Sequence, residues 1–223
     1  MTRRILPSGD AALLVECADL PEVLALHDTL AADRPEGLVE LVPAARTVLV
    51  VVDPARLPLE SAASWIRRAV VGGARPGAAA GADDVLVPVA YDGEDLTATA
   101  DLLGIGADDL VAAHLAARWR VAFIGFAPGF GYLVSDDWPY EVPRLATPRT
   151  RVPEGAVALA GPFSGAYPRQ SPGGWRLIGR TAAALWDPAA DAPALLEPGR
   201  TVRFTRAEPA PAPEPQSEPE AGA

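Results

Sequence analysis

The chain has 223 residues, 49% of them hydrophobic and 22% charged, an ordinary globular composition for one large domain or two modest ones. A net charge of −10 argues against nucleic acid or an anionic membrane as principal partner, and a single cysteine, Cys17, excludes an internal disulfide. All 19 basic residues are arginine. Without lysine, the chain has no Walker-type phosphate lysine, no Schiff base and no attachment point for covalent biotin.

Met1 to Arg4 carries charge but no apolar core of a leader, and Val48 to Val52 is too short to cross a bilayer, so the pattern reads as cytoplasmic. Ala11 to Cys17 alternates as a strand, with Ala11, Leu13, Val15 and Cys17 on one face. This makes Cys17 a small core residue rather than a nucleophile. A helix opens at Pro21 with Asp19 as its capping candidate, and Val23, Leu24, His27, Leu30 and Ala31 follow a 3.6 period. Leu38 to Val42 and Thr47 to Val52 read as strands, and Leu59 to Val71 as a second amphipathic helix. The order β-β-α-β-β-α predicts a small two-layer α+β domain over 1–71. It contains no catalytic constellation, and His27 fits a half-buried helix face.

The small-residue run over 72–82 reads as a linker. A second domain is expected over 83–206. Val85 to Tyr91 is a strand, Gly104 and Gly106 separate two short helices, and the second helix runs from about Asp108 to Trp119. Thereafter short apolar pieces alternate with Pro and Gly, the texture of a closed or sandwich-like β structure. Residues 207–223 are Ala/Pro/Glu-rich with four glutamates, and read as a disordered tail.

Three segments concentrate candidate chemistry. Phe123 to Leu133 alternates aromatic residues with glycine and proline, which suits an apolar pocket wall or a tight barrel corner. Between Pro143 and Arg180, Arg144, Arg149, Arg151, Arg169, Arg176 and Arg180 face Glu154 as sole acid, a local +5. Arginine forks suit carboxylate or phosphate, so this window predicts either an anion site or an interface for an acidic partner. Ser171-Pro172-Gly173-Gly174-Trp175 is a turn whose amides would form an anion nest. Ser171 is followed by proline and lacks a nearby histidine, which disfavours a serine hydrolase. His114, mid-helix, is a candidate acid/base. Two histidines and one cysteine supply no metal cluster.

Gly125-Phe126-Ala127-Pro128-Gly129-Phe130-Gly131-Tyr132-Leu133 resembles a GFxPGFxYL segment of one known family, that of the 5-oxoprolinase B subunit, allophanate hydrolase subunit 1 and KipI-like proteins. Pro143-Arg144, Pro148-Arg149, Arg151-Val152-Pro153-x-Gly155, Tyr167-Pro168, Ser171 to Trp175, Ile178 to Thr181 and Leu195 to Phe204 follow in the family's order. Tyr91-Asp92-Gly93-x-Asp95-Leu96 and His114 match upstream. Trp119, Ala156 and Arg200 depart from it, standing where the family usually has tyrosine, serine and aspartate.

The resemblance implies a cyclophilin-like β-barrel for the second domain and a KipA-like partner (the 5-oxoprolinase C subunit), with a LamB/YcsF-like A subunit often joining. It further implies ATP-dependent opening of 5-oxoproline to glutamate, the nucleotide being held mainly by a partner. On this expectation His114, Arg149 and Arg151 are catalytic. Gly125, Phe126, Pro128, Gly129, Phe130, Tyr132, Arg144, Tyr167, Ser171, Gly173, Gly174 and Trp175 would bind substrate. The same family includes a carboxyltransferase region of urea carboxylase and an inhibitor of a sensor histidine kinase, which supply the two alternative expectations.

Overall fold

The computed structural model describes residues 3–69 and 84–207, so the expected linker and all but the first residue of the expected tail lie outside the described residues. The first unit comprises β1 (Arg4–Pro7), β2 (Ala12–Glu16), α1 (Leu20–Ala32), β3 (Leu38–Pro43), β4 (Thr47–Val52) and α2 (Leu59–Arg68). Its antiparallel sheet has the order β1-β2-β4-β3. Alternation does the work on β4, where Val48, Val50 and Val52 are buried against Val23, Leu26, Leu30 and Ile66 of the helices.

α1 begins where its sequence signals it. The Asp19 carboxylate accepts from the Glu22 amide at 2.9 Å, and the Glu22 carboxylate reaches back to the Ala18 amide at 2.8 Å. Glu22 also accepts from Arg3 at 2.9 Å. Together these contacts hold the Glu22 carboxyl below its usual range, the Ala18 amide being the largest cause. Cys17 is buried beside it, and desolvation pushes its thiol up to about 11, so it stays protonated and packs as a small apolar side chain.

The second unit comprises β5 (Val85–Val89), α3 (Leu96–Leu103), α4 (Ala107–Ala116), β6 (Trp119–Ile124), β7 (Gly131–Val134), β8 (Arg149–Val152), β9 (Ala156–Ala160), β10 (Phe163–Ala166), β11 (Ser171–Gly173), β12 (Arg176–Arg180) and β13 (Thr201–Arg206). Seven strands form one mixed sheet in the order β12-β9-β10-β7-β6-β13-β5, with β13 and β5 parallel. The edges meet where the Ala90 and Arg180 backbones exchange two hydrogen bonds of 2.9 Å, curling the sheet into the expected barrel. β8 and β11 form a separate antiparallel ribbon. Ala207, the first residue of the expected tail, still donates its amide to Val89 at 2.9 Å.

α4 ends at Ala116, three residues before the expected end, because Trp119-Arg-Val-Ala-Phe-Ile favours a strand and Trp119 belongs to the barrel core. The Trp119 indole N–H donates back to the His114 carbonyl at 3.0 Å, satisfying one of the acceptors left open by the helix end. The two units touch along a small seam in which Leu24 of α1 packs against Ala122 and Phe123 of β6.

Candidate functional site

β6 leads into the loop 125–130 before the chain returns as β7. The Ala127 amide donates to the Gly125 carbonyl at 2.7 Å, a γ-turn with Phe126 at its centre. Phe126 has φ +67°, the one positive φ among described non-glycine residues, and its ring is 57% exposed. Positive-φ γ-turns are rare and strained, and such a bulky residue is held there only by its surroundings. One restraint is Gly129, at φ +81°, whose missing side chain lets the loop lie on Leu185 and Trp186; a Cβ there would come within 2.8 Å of the Trp186 Cβ.

The rings singled out from sequence converge. Phe126 lies edge-on to Phe130 at 5.4 Å and to Tyr167 at 6.0 Å, and Phe130 contacts Tyr167 at 5.2 Å and Trp175 at 5.3 Å. Tyr132 joins through Trp175 at 5.5 Å. Centroid separations of this kind mark a rigid aromatic wall. Tyr167 lies directly over Gly173, leaving no room for a side chain there. Burial pushes the Tyr167 hydroxyl up to about 12, and the Tyr132 hydroxyl is raised for the same reason. The positive charge of Arg144 works against both shifts.

The six arginines of the basic window divide into two groups. Arg149 is clamped, its Nη2 2.7 Å from Asp95 Oδ1 and its Nε 2.7 Å from Glu94 Oε1. The other Asp95 oxygen accepts from the Leu177 amide at 2.7 Å. The Asp95 hydrogen bond is the largest influence raising the Arg149 pKa, so the side chain stays charged. Arg149 therefore ties the β8–β11 ribbon to the start of α3, and only its buried Nη1 has no partner among the described residues. Arg176 Nε donates to the Pro143 carbonyl at 2.8 Å, and Arg180 pairs with Asp92 at 2.8 Å beside the barrel closure. Arg144, Arg151 and Arg169 are exposed and, among the described residues, lie within 4.0 Å of no carboxylate.

Two expectations need correction. His114 is fully buried in the barrel, with Nδ1 2.7 Å from the Tyr91 hydroxyl and Nε2 2.8 Å from the Ser164 hydroxyl. Its ring stacks on Phe204 at 4.4 Å, and desolvation depresses its pKa from 6.5 to about 3. With both nitrogens engaged and no exposure, His114 is a neutral core group rather than a proton donor to a substrate. The Ser171 turn is not an open nest either. Ser171–Gly173 is a strand paired with β8, and Pro172 has no N–H. The Ser171 hydroxyl donates to the Arg169 carbonyl at 3.1 Å.

Among the described residues no group of three or more His, Cys, Asp or Glu is placed to hold a metal ion. No helix there is long and apolar enough to cross a membrane. Asp95 and Glu94 escaped the sequence reading as functional partners, since they lie 54 and 55 residues before Arg149. The only signal was the Tyr91-Asp92-Gly93-x-Asp95 segment.

Residues 3–196 match the family described as carboxyltransferase domain, subdomain C and D. The chain belongs to that family. Among relatives, it is 46% identical over 121 residues to the 5-oxoprolinase B subunit of Escherichia coli O157:H7, covering 53% of this chain and 56% of the relative. It is 38% identical over 125 residues to the 5-oxoprolinase B subunit of Bacillus subtilis (strain 168), covering 55% and 52%. The chain spans about half the length of the curated relatives it matches. Among solved structures, the protein TTHA0988 superposes with TM-score 0.70 at 35% identity over 92% of this chain and 41% of that one. The urea amidolyase of K. lactis, at 20% identity and TM-score 0.72 over 92% of this chain and 15% of that one, shares the fold.

Proposed function

We propose that this carboxyltransferase-family chain is the B-type subunit of a cytoplasmic, ATP-dependent 5-oxoprolinase, acting with a KipA-like partner and a LamB/YcsF-like third component. The observation that carries the reading is the unpaired Arg144 beside the wall of Phe126, Tyr132, Tyr167 and Trp175, in a chain whose relatives are named as 5-oxoprolinase B subunits. A small cyclic amide bearing a carboxylate needs two things: a flat apolar surface for the ring and a cation for the acid. The aromatic wall supplies the first and Arg144 the second. Arg151, exposed on β8, is the further donor available to an oxyanion.

In the reaction, water adds across the lactam C–N bond, leaving a carboxylate on one atom and an amine on the other. A second water is consumed as ATP is cleaved to ADP and phosphate alongside. The nucleotide belongs to a partner on this reading, which rests on the chain's lack of lysine and on Ser171–Gly173 being a paired strand rather than an open turn. Its part is to bind and orient the lactam and to exclude water from the apolar face.

The test is ADP release with added 5-oxoproline, using this chain assembled with its candidate partners. Release that disappears when the chain is omitted is expected, and Arg144→Ala should lower turnover about tenfold or more with assembly intact. Unchanged turnover in that variant would overturn the site assignment. The family's carboxyltransferase description favours a second reading, transfer of a carboxyl group from a biotin carrier, and its mark is turnover dependent on biotin and bicarbonate.

A further inference from the structure

Beside the seam between the two units lies a cleft of about 290 Å3, separate from the aromatic wall. One side is formed by α1 and β3 and carries Glu40 and Asp28, the latter already 3.1 Å from the His27 Nδ1, which lines the same cleft. The other is formed by β6 and carries Arg120 and Ile124, with Leu41 and Val42 supplying apolar lining. Arg120 is half-buried, and neither it nor Glu40 lies within 4.0 Å of an opposite charge among the described residues. A half-buried cation with no partner favours an anion, and acids across an apolar gap favour a cation. The volume is at the small end for ligand sites, which run about 300–1,000 Å3 and favour domain junctions.

We propose that this cleft binds a free α-amino acid, its carboxylate on Arg120, its ammonium on Glu40 beside the His27–Asp28 pair, and its side chain on the apolar lining. The class follows from the charge pattern: two opposite charges on one small molecule, separated by a body that tolerates apolar contact. A dicarboxylate would meet Glu40 and Asp28 unfavourably, and a lactam acid offers no ammonium. The site is independent of the lactam assignment to the aromatic wall. It is physically linked to that wall, however, because β6 runs from Arg120 and Ile124 into the strained turn at Phe126, two residues further on.

The full chain is titrated calorimetrically with each proteinogenic amino acid in turn. Saturable binding of one or more is expected, abolished for the same compound when N-acetylated or methyl-esterified. Arg120→Ala and Glu40→Gln, both at solvent-accessible positions, should each weaken it about tenfold or more with an unchanged melting temperature. 5-Oxoproline should not compete for this binding. Absence of heat with every amino acid, binding that persists in both variants, or equal binding of the N-acetylated compound would each overturn the proposal.

Discussion

Acidification should unfold the barrel through His114, and the size of the effect follows from its burial. The ring is neutral in the folded state, with a pKa near 3, whereas the unfolded chain titrates near 6.5. Between these values the unfolded state binds the proton and the folded state does not, so stability falls as pH drops through 6.5. Each pH step costs about 1.4 kcal/mol in that window, which amounts to about 2 kcal/mol between pH 7 and pH 5 from this residue alone. Urea denaturation at pH 5, 6 and 7, followed by tryptophan fluorescence, measures the total. Carboxylates such as Glu22 add a loss of the same sign, so the His114 share is isolated by comparison with His114→Gln. Glutamine keeps a donor and an acceptor for Tyr91 and Ser164 but does not titrate. The variant should be less stable at pH 7 by about 1–3 kcal/mol yet lose about 2 kcal/mol less than the native chain on going to pH 5. Equal losses in the two proteins would refute the depressed pKa and the burial argument behind it.

Arg149→Ala should destabilise the protein by about 2–4 kcal/mol, seen as a lower urea midpoint, because Asp95 is then left buried with only the Leu177 amide. Arg149→Lys should restore part of this, since an ammonium meets one carboxylate where the guanidinium fork meets two. Phe126→Gly should raise stability by about 1 kcal/mol by relieving the positive φ, while lowering turnover of the assembled complex through loss of the ring; Phe126→Ala should lower turnover without that gain. Gly173→Ala should lower the melting temperature by several degrees, because its methyl group collides with the Tyr167 hydroxyl.

The aromatic loop was readable because its information is local. Alternating rings and glycines between two strands allow few conformations, and the rings do meet. The positive φ of Phe126 was not readable, since a flanking glycine is the cheaper residue for that conformation and nothing in the string marks the ring as the strained member. The start of α1 was legible to within one residue through Asp19 and Pro21, whereas the end of α4 was not. Helical periodicity continues past Ala116, and only the fit of Trp119 into the barrel stops it. His114 shows the same limit. Its helix position allows either a solvent-facing or a core-facing ring, and the deciding partners, Tyr91 and Ser164, lie 23 and 50 residues away.

The basic window was misjudged for a related reason, and the correction sharpens the site. Counting charge over Pro143 to Arg180 treats six arginines as equivalent, yet the acids that neutralise some of them lie at Asp92, Glu94 and Asp95, outside the window. Those acids are grouped on the turn before α3, and Gly93 in their midst packs so closely on Ile178 that no side chain would fit. That turn is thus a fixed anchor: it holds Arg149 of the ribbon and Arg180 of the closing strand at once. The positive charge that remains resides on Arg144, Arg151 and Arg169, all exposed, in a protein of net charge −10. An acidic molecule gains nothing in stability by keeping these cations unpaired, while an anionic ligand or an acidic partner surface gains a prepared landing point. Of the three, Arg144 is the one whose charge bears on the phenols of Tyr132 and Tyr167, which is why the proposal assigns it to substrate. On the reading proposed above, Arg169, beside the ribbon, is the residue to expect where a partner protein docks.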